Sequence, residues 1–84
     1  MYREMDNVVM DEQIRRKIVE NRKQMGYRQG DVVVQMQLAG MEMSYQMYKN
    51  VECGRRKLSV REFLFLIVFL NIDVSSMSHK IFAH

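Results

Sequence analysis

An all-α domain of five short helices is the fold this sequence predicts. Apolar residues recur at three- and four-residue spacing, as at Ile14 and Ile18 and again at Phe63, Leu66, Ile67 and Leu70. That spacing lines one face of a helix with 3.6 residues per turn. Residues that start or stop helices stand between those stretches: Ser44, the Ser59–Glu62 pair, Gly26, Gly40 and Gly54. The chain has no proline, and its four glycines are scattered, which disfavours a turn-rich sandwich.

The first helix is expected to start near Asp6 or Asp11 as N-cap and to end at Gly26. Ile14, Ile18 and Met25 form its apolar stripe, with Arg22 in the same line. Arg15, Arg16, Lys17 and Lys23 fall on its outer face, where solvation is the ordinary role. Residues 29 to 39 pose a conflict. The run Val32-Val33-Val34 favours a strand, whereas Asp31 suits a helix's first turn and Gly40 its C′ position. The helix is the reading adopted. After the loop "GMEM", Ser44 is an N-cap for a helix over 44–53, with Met43 and Tyr48 placed as a hydrophobic staple. Ser59 and Glu62 make a capping box, Leu58 and Phe63 a second staple, and the helix they open runs to about Leu70. Asn71 is an αL stop, and Asp73 caps a short last helix over "VSSMSHKIF".

Eighty-four residues make one domain, 1–84, with its core over about 11–78 and termini (1–10 and 79–84) expected to be flexible or dimer-forming. A chain this short buries about 60 to 65 % of its unfolded surface, so it packs economically or shares a core. Hydrophobic residues at 48 % with 27 % charged read as globular. Net charge is +3, permissive for a polyanionic partner. The longest apolar run, "FLFLIVFL" at 63–70, falls short of the roughly 20 residues that span a bilayer, so no membrane role is expected. "MYREMDNVVMDEQ" has acids and no apolar h-region, unlike a secretory signal. Cys53 stands alone, and a reduced cytoplasm is the natural reading. No nucleophile–base grouping or glycine-rich phosphate loop is present, so no enzyme and no cofactor are expected. His79 and His84 lack a ligand cluster. The nine methionines suit irregular packing better than copper. No metal is expected.

The order of these pieces resembles the lambda-repressor-like, or Xre-type, helix-turn-helix family. The likeness runs from Ile14 to Met77. "IRRKIVENRKQMGYRQGD" is similar to helix 1 and the entry to helix 2, and "SYQMYKNVECGRRKLS" to the recognition helix with its exit loop. "EFLFLIVFLNIDVSSM" is similar to the last two helices. The sequence departs from the pattern at Arg28, where the family prefers Thr or Ser, and at Val33, often alanine. The turn "QLAGMEM" is about five residues longer than the usual turn of this motif, as in a longer-turn bacterial subgroup with a similar "LQLAG" stretch. The resemblance implies a bacterial or phage DNA-binding regulator of repressor type.

On a helix capped by Ser44, Tyr48 and Val51 point inward, and Tyr45, Gln46, Lys49 and Asn50 face out. The N-terminal residues of a recognition helix reach base edges in the major groove of double-stranded DNA. Gln46 and Asn50 carry the donor and acceptor that read adenine N6 and N7. Tyr45 offers a hydroxyl or a ring and Lys49 suits a phosphate; the resemblance implies Tyr45, Gln46 and Asn50 as base readers, with Ser44 in the same DNA-binding set. The competing reading is an ordinary solvated helix face. Arg55, Arg56 and Lys57 fit phosphate contacts, with solubility as the rival role. Gln29 resembles the family's phosphate-touching glutamine, beside free helix N–H groups.

Arg22 and Glu52 each interrupt an apolar stripe. Opposite charges from two helices can satisfy each other, and the resemblance implies such a pair joining helix 1 to the recognition helix. Separate snorkelling to solvent is the alternative. Phe65, Val68, Phe69 and Ile72 form a second apolar stripe. A second subunit would cover it, giving a homodimer, unless the N-terminal arm (Tyr2, Val8, Val9) or the tail "KIFAH" does so. A different functional class stays open: a protein-interaction module such as an antitoxin or adaptor on the same fold.

Overall fold

A computed structural model describes residues 12–73 of the chain. Among the described residues there are four helices: α1 (Glu12–Gln24), α2 (Gln29–Leu38), α3 (Tyr45–Cys53) and α4 (Val60–Phe69). The expected caps at Asp6 and Asp11 and the expected fifth helix lie outside the described residues. α3 packs against both α1 and α2.

The conflict over residues 29–39 resolves as helix. Val32, Val33 and Met36 are buried while Val34 is exposed, and that spacing belongs to a helix, because a strand would bury alternate residues. Arg28 stands at the N-cap, where its side chain accepts no cap bond. Instead the Asp31 carboxylate accepts from the Arg28 backbone N–H at 2.8 Å. The two serine caps form as expected. Ser44 Oγ accepts from the Met47 N–H at 3.0 Å. Ser59 Oγ accepts from the Glu62 N–H, and Glu62 Oε1 from the Ser59 N–H. Met43, Tyr48, Leu58 and Phe63, the staple residues, are all in the core.

All four helices close in the same way. The N–H of Tyr27, Met41, Arg55 and Ile72 reaches back to the carbonyl of Arg22, Met36, Asn50 and Ile67 respectively. Beneath these bonds, Gly26, Gly40, Gly54 and Asn71 donate to Lys23, Gln37, Val51 and Val68. This is the Schellman pattern, which needs a left-handed residue at C′. Asn71, at φ +53°, is the one non-glycine in that role, tolerable because its short polar side chain lowers the penalty. The same turn ties α1 to α4: Asn21 Nδ2 donates to the Leu70 and Asn71 carbonyls at 3.0 and 3.2 Å.

Four expectations need correction. Met25 is exposed, because α1 ends at Gln24 and Met25 sits in the turn leading to Gly26. Ile67 is only half-buried beside fully buried Leu66 and Leu70. Ile72, placed on an open stripe by counting along a straight helix, is 6 % exposed. The left-handed step at Asn71 folds the chain back so that the Ile72 N–H bonds the Ile67 carbonyl, the geometry that draws the residue after such a stop toward the preceding turn. The connection between α2 and α3 is residues 39–44, six in all. The excess over a three- to four-residue turn is therefore about two or three residues, less than expected.

Candidate nucleic-acid interface

The geometry of α3 starts with its buried side. Tyr48, Val51 and Glu52 face the interior, and Glu52 meets Arg22 of α1 there. Arg22 Nε donates to Glu52 Oε2 at 2.7 Å and Nη2 to Oε1 at 3.1 Å. This planar two-bond fork is the strong form of the interaction. The two side chains are 9 % and 6 % exposed. Arg22 Nη1 also donates to the Tyr27 carbonyl at 2.9 Å, so the pair binds α1 to α3 and to the entry of α2. Hydrogen bonding from Glu52 holds the Arg22 guanidinium above its ordinary pKa, and it stays charged at every accessible pH.

Two further groups converge on Glu52. Gln29, at the start of α2, donates from Nε2 to Glu52 Oε1 at 2.8 Å. Arg15 Nη1 donates to the Glu52 carbonyl at 3.1 Å, one of the orphan acceptors at the end of α3. Arg15 is thus no free member of a solvated face. Its seven-residue spacing from Arg22 marked the same helix side, but only the placement of α3 reveals the acceptor. Gln29, expected to look outward to a phosphate, spends one amide hydrogen inward.

The outer side of α3 carries the expected row. Ser44, Tyr45 and Gln46 are exposed, and Lys49 and Asn50 are half-exposed. They are paired along the helix. Lys49 Nζ lies 5.4 Å from the centroid of the Tyr45 ring, and Gln46 Nε2 donates to Asn50 Oδ1 at 3.4 Å. Tyr45 also donates its hydroxyl hydrogen to Gln29 Oε1 at 3.4 Å. The loop after Gly54 divides. Arg55 and Lys57 are exposed. Arg56 instead donates to Glu62 Oε1 at 3.3 Å and to the Lys57 carbonyl at 3.2 Å, which commits it to the start of α4.

On α4 the remaining second-stripe residues separate. Val68 is 81 % exposed. Phe65 and Phe69 are half-buried, and Phe69 stacks between Phe65 and Tyr27 with ring centroids 5.5 and 5.0 Å apart. Among the described residues no group of three potential ligands is placed to hold a metal ion. No helix among them is long and apolar enough to cross a membrane. No protein-family model, no curated protein and no solved structure matches this chain.

Removing either Arg22 or Glu52 leaves a buried charge without its partner. Arg22→Met or Glu52→Leu is expected to destabilise by about 3 to 5 kcal/mol, and the double apolar variant by much less. Urea unfolding in a double-mutant cycle checks this: small, additive losses would mean the pair does not couple.

The Tyr48 hydroxyl is buried and makes no hydrogen bond, although it lies in the field of Glu52 and Arg22. Burial, then the nearby Glu52 charge, pushes its pKa far above the ordinary value of 10.0. The folded state therefore keeps a proton that the unfolded chain loses above pH about 10, so stability falls as pH rises past that point. The slope is about 1.4 kcal/mol per pH unit. Tyr48→Phe removes this one contribution and, with no hydrogen bond to lose, leaves neutral-pH stability within about 1 kcal/mol. Unfolding at pH 7 and across pH 9.5–11.5 tests both statements. An alkaline limb identical to wild type would refute the assignment.

Proposed function

We propose that this domain binds double-stranded DNA sequence-specifically as a cytoplasmic, repressor-type transcriptional regulator of bacterial or phage origin. Helix 44–53 enters the major groove. One observation carries the reading: α3 is fixed from behind by a buried ion pair, while Tyr45, Gln46, Lys49 and Asn50 keep their tips outside the core. A helix held this firmly with its N-terminal half open suits base reading, and the family resemblance of the sequence supports the same use. In this reading Gln46 and Asn50 address bases, and Lys49, Arg55 and Lys57 address phosphates. Gln29 retains one amide hydrogen for a phosphate beside the α2 N-terminus. Arg56 is secondary, since Glu62 already engages it.

Selection of bound sequences from random duplex DNA tests the proposal directly. With a selected site in hand, Gln46→Ala or Asn50→Ala is expected to lose about 1 to 3 kcal/mol and to relax preference at one or two base pairs. Lys49→Ala and Arg55→Ala are expected to weaken every sequence alike and to flatten the dependence of log affinity on log salt. Equal losses for both groups on every duplex would overturn the assignment of readers. An interaction module that ignores DNA would show no linear salt dependence at all.

The reading extends to a symmetric homodimer, because one recognition helix covers only a few base pairs and such dimers read two half-sites about one turn apart. Phe65, Val68 and Phe69 supply the apolar face, with Ile72 withdrawn into the core. Val68 is so exposed that Val68→Lys leaves the monomer fold intact. Sedimentation at micromolar concentration is expected to show a wild-type dimer and a Val68→Lys monomer with much weaker operator binding. A wild-type monomer would exclude the dimer.

A further inference from the structure

The buried ion pair also dictates which way one exposed hydrogen points. An ionised carboxylate only accepts hydrogen bonds. Glu52 Oε1 lies 2.8 Å from the terminal amide of Gln29, and only the amide nitrogen can make that contact. Chemistry therefore settles the orientation of the Gln29 side chain: nitrogen inward, oxygen outward. The outward oxygen, again purely an acceptor, sits 3.4 Å from the Tyr45 hydroxyl. A phenol has a single hydrogen, and the contact to Gln29, long at 3.4 Å, biases it in that direction. Lys49, over the face of the Tyr45 ring, helps hold that ring in place. What the hydroxyl then presents to the outside is its lone pairs.

We infer that Tyr45 is an acceptor-only reader that selects a base carrying an exocyclic amino group. In the major groove the donors are the amino groups of adenine and cytosine, whereas thymine and guanine offer keto oxygens. A freely rotating hydroxyl would serve either kind. One biased toward Gln29 favours the amino bases and turns lone pairs against the keto ones. Gln29 is thus a positioning residue for specificity, acting through Tyr45, and Glu52 acts through Gln29. The inference rests on the DNA-reading proposal above.

The test is selection from random duplex DNA with wild-type protein, Tyr45→Phe and Gln29→Ala, each scored position by position and at two salt concentrations. Wild type is expected to enrich adenine or cytosine at one position by about tenfold over the keto bases, the worth of roughly one well-made hydrogen bond. Tyr45→Phe loses that preference and no other. Gln29→Ala frees the hydroxyl, so guanine and thymine rise toward parity at the same position while neighbouring preferences stay. A keto base at the Tyr45-dependent position would overturn the inference. So would a Gln29→Ala protein whose preferences are unchanged and whose affinity falls uniformly with a shallower salt slope. Should Gln29→Ala fail to fold, the exposed Tyr45→Phe variant still decides between amino and keto bases. A wild-type protein that enriches no sequence overturns both proposals, whereas an enriched site with the wrong base at this position overturns this one alone.

Discussion

The Arg22–Glu52 pair is the constraint on which the rest of the domain depends. Each ion alone would be strongly disfavoured where it sits. The fork geometry and the extra bonds to Tyr27 and from Gln29 give each polar atom of the two side chains at least one partner. Because the partners belong to α1 and α3, the pair sets the rotation of α3 about its own axis. A different rotation would strand Glu52 in the core or push Tyr48 and Val51 into water. Apolar contacts alone tolerate sliding; a two-bond fork does not.

Around that point the other devices share the work of making a small core unique. Asn21 holds the end of α4 against α1, Arg15 closes the end of α3, and Gln37 donates to the Met43 carbonyl at 2.8 Å, steadying the approach to Ser44. Each is a side chain from one helix satisfying the backbone end of another segment. In a domain with four described helices of 9 to 13 residues, helix ends are a large fraction of the backbone. Their unpaired groups are an unusually large liability.

Local signals were legible in the sequence, and long-range ones were not. The Ser44 and Ser59 caps, the Asn71 stop and the inward set of α3 follow from rules that span a turn or two of chain. The Arg22–Glu52 pair was legible for a different reason: two charges in apolar stripes each demand a partner, and each was the other's most economical solution. The misplacements have a common cause. Met25 and Ile72 escape a straight helical count, because Met25 lies just beyond the last residue of α1 and Ile72 just past the left-handed Asn71. Arg15, Arg56 and Gln29 read as outward-facing in the sequence because their acceptors are set by packing between separate segments. A solvent-facing reading is the default for a long polar side chain, and only tertiary structure overrules it.

The separation of duties within α3 has an evolutionary consequence. Its foundation is at positions 48, 51 and 52, and its outward row at 45, 46, 49 and 50 carries none of the core packing. Substitutions at 46 and 50 are therefore nearly invisible to folding, and lineages can explore them without passing through unfolded intermediates. Position 45 is less free, since its hydroxyl is tethered to Gln29 and through it to the interior. Divergence among descendants of this chain would then be quick at 46 and 50, slower at 45, and slowest where α1 grips α3.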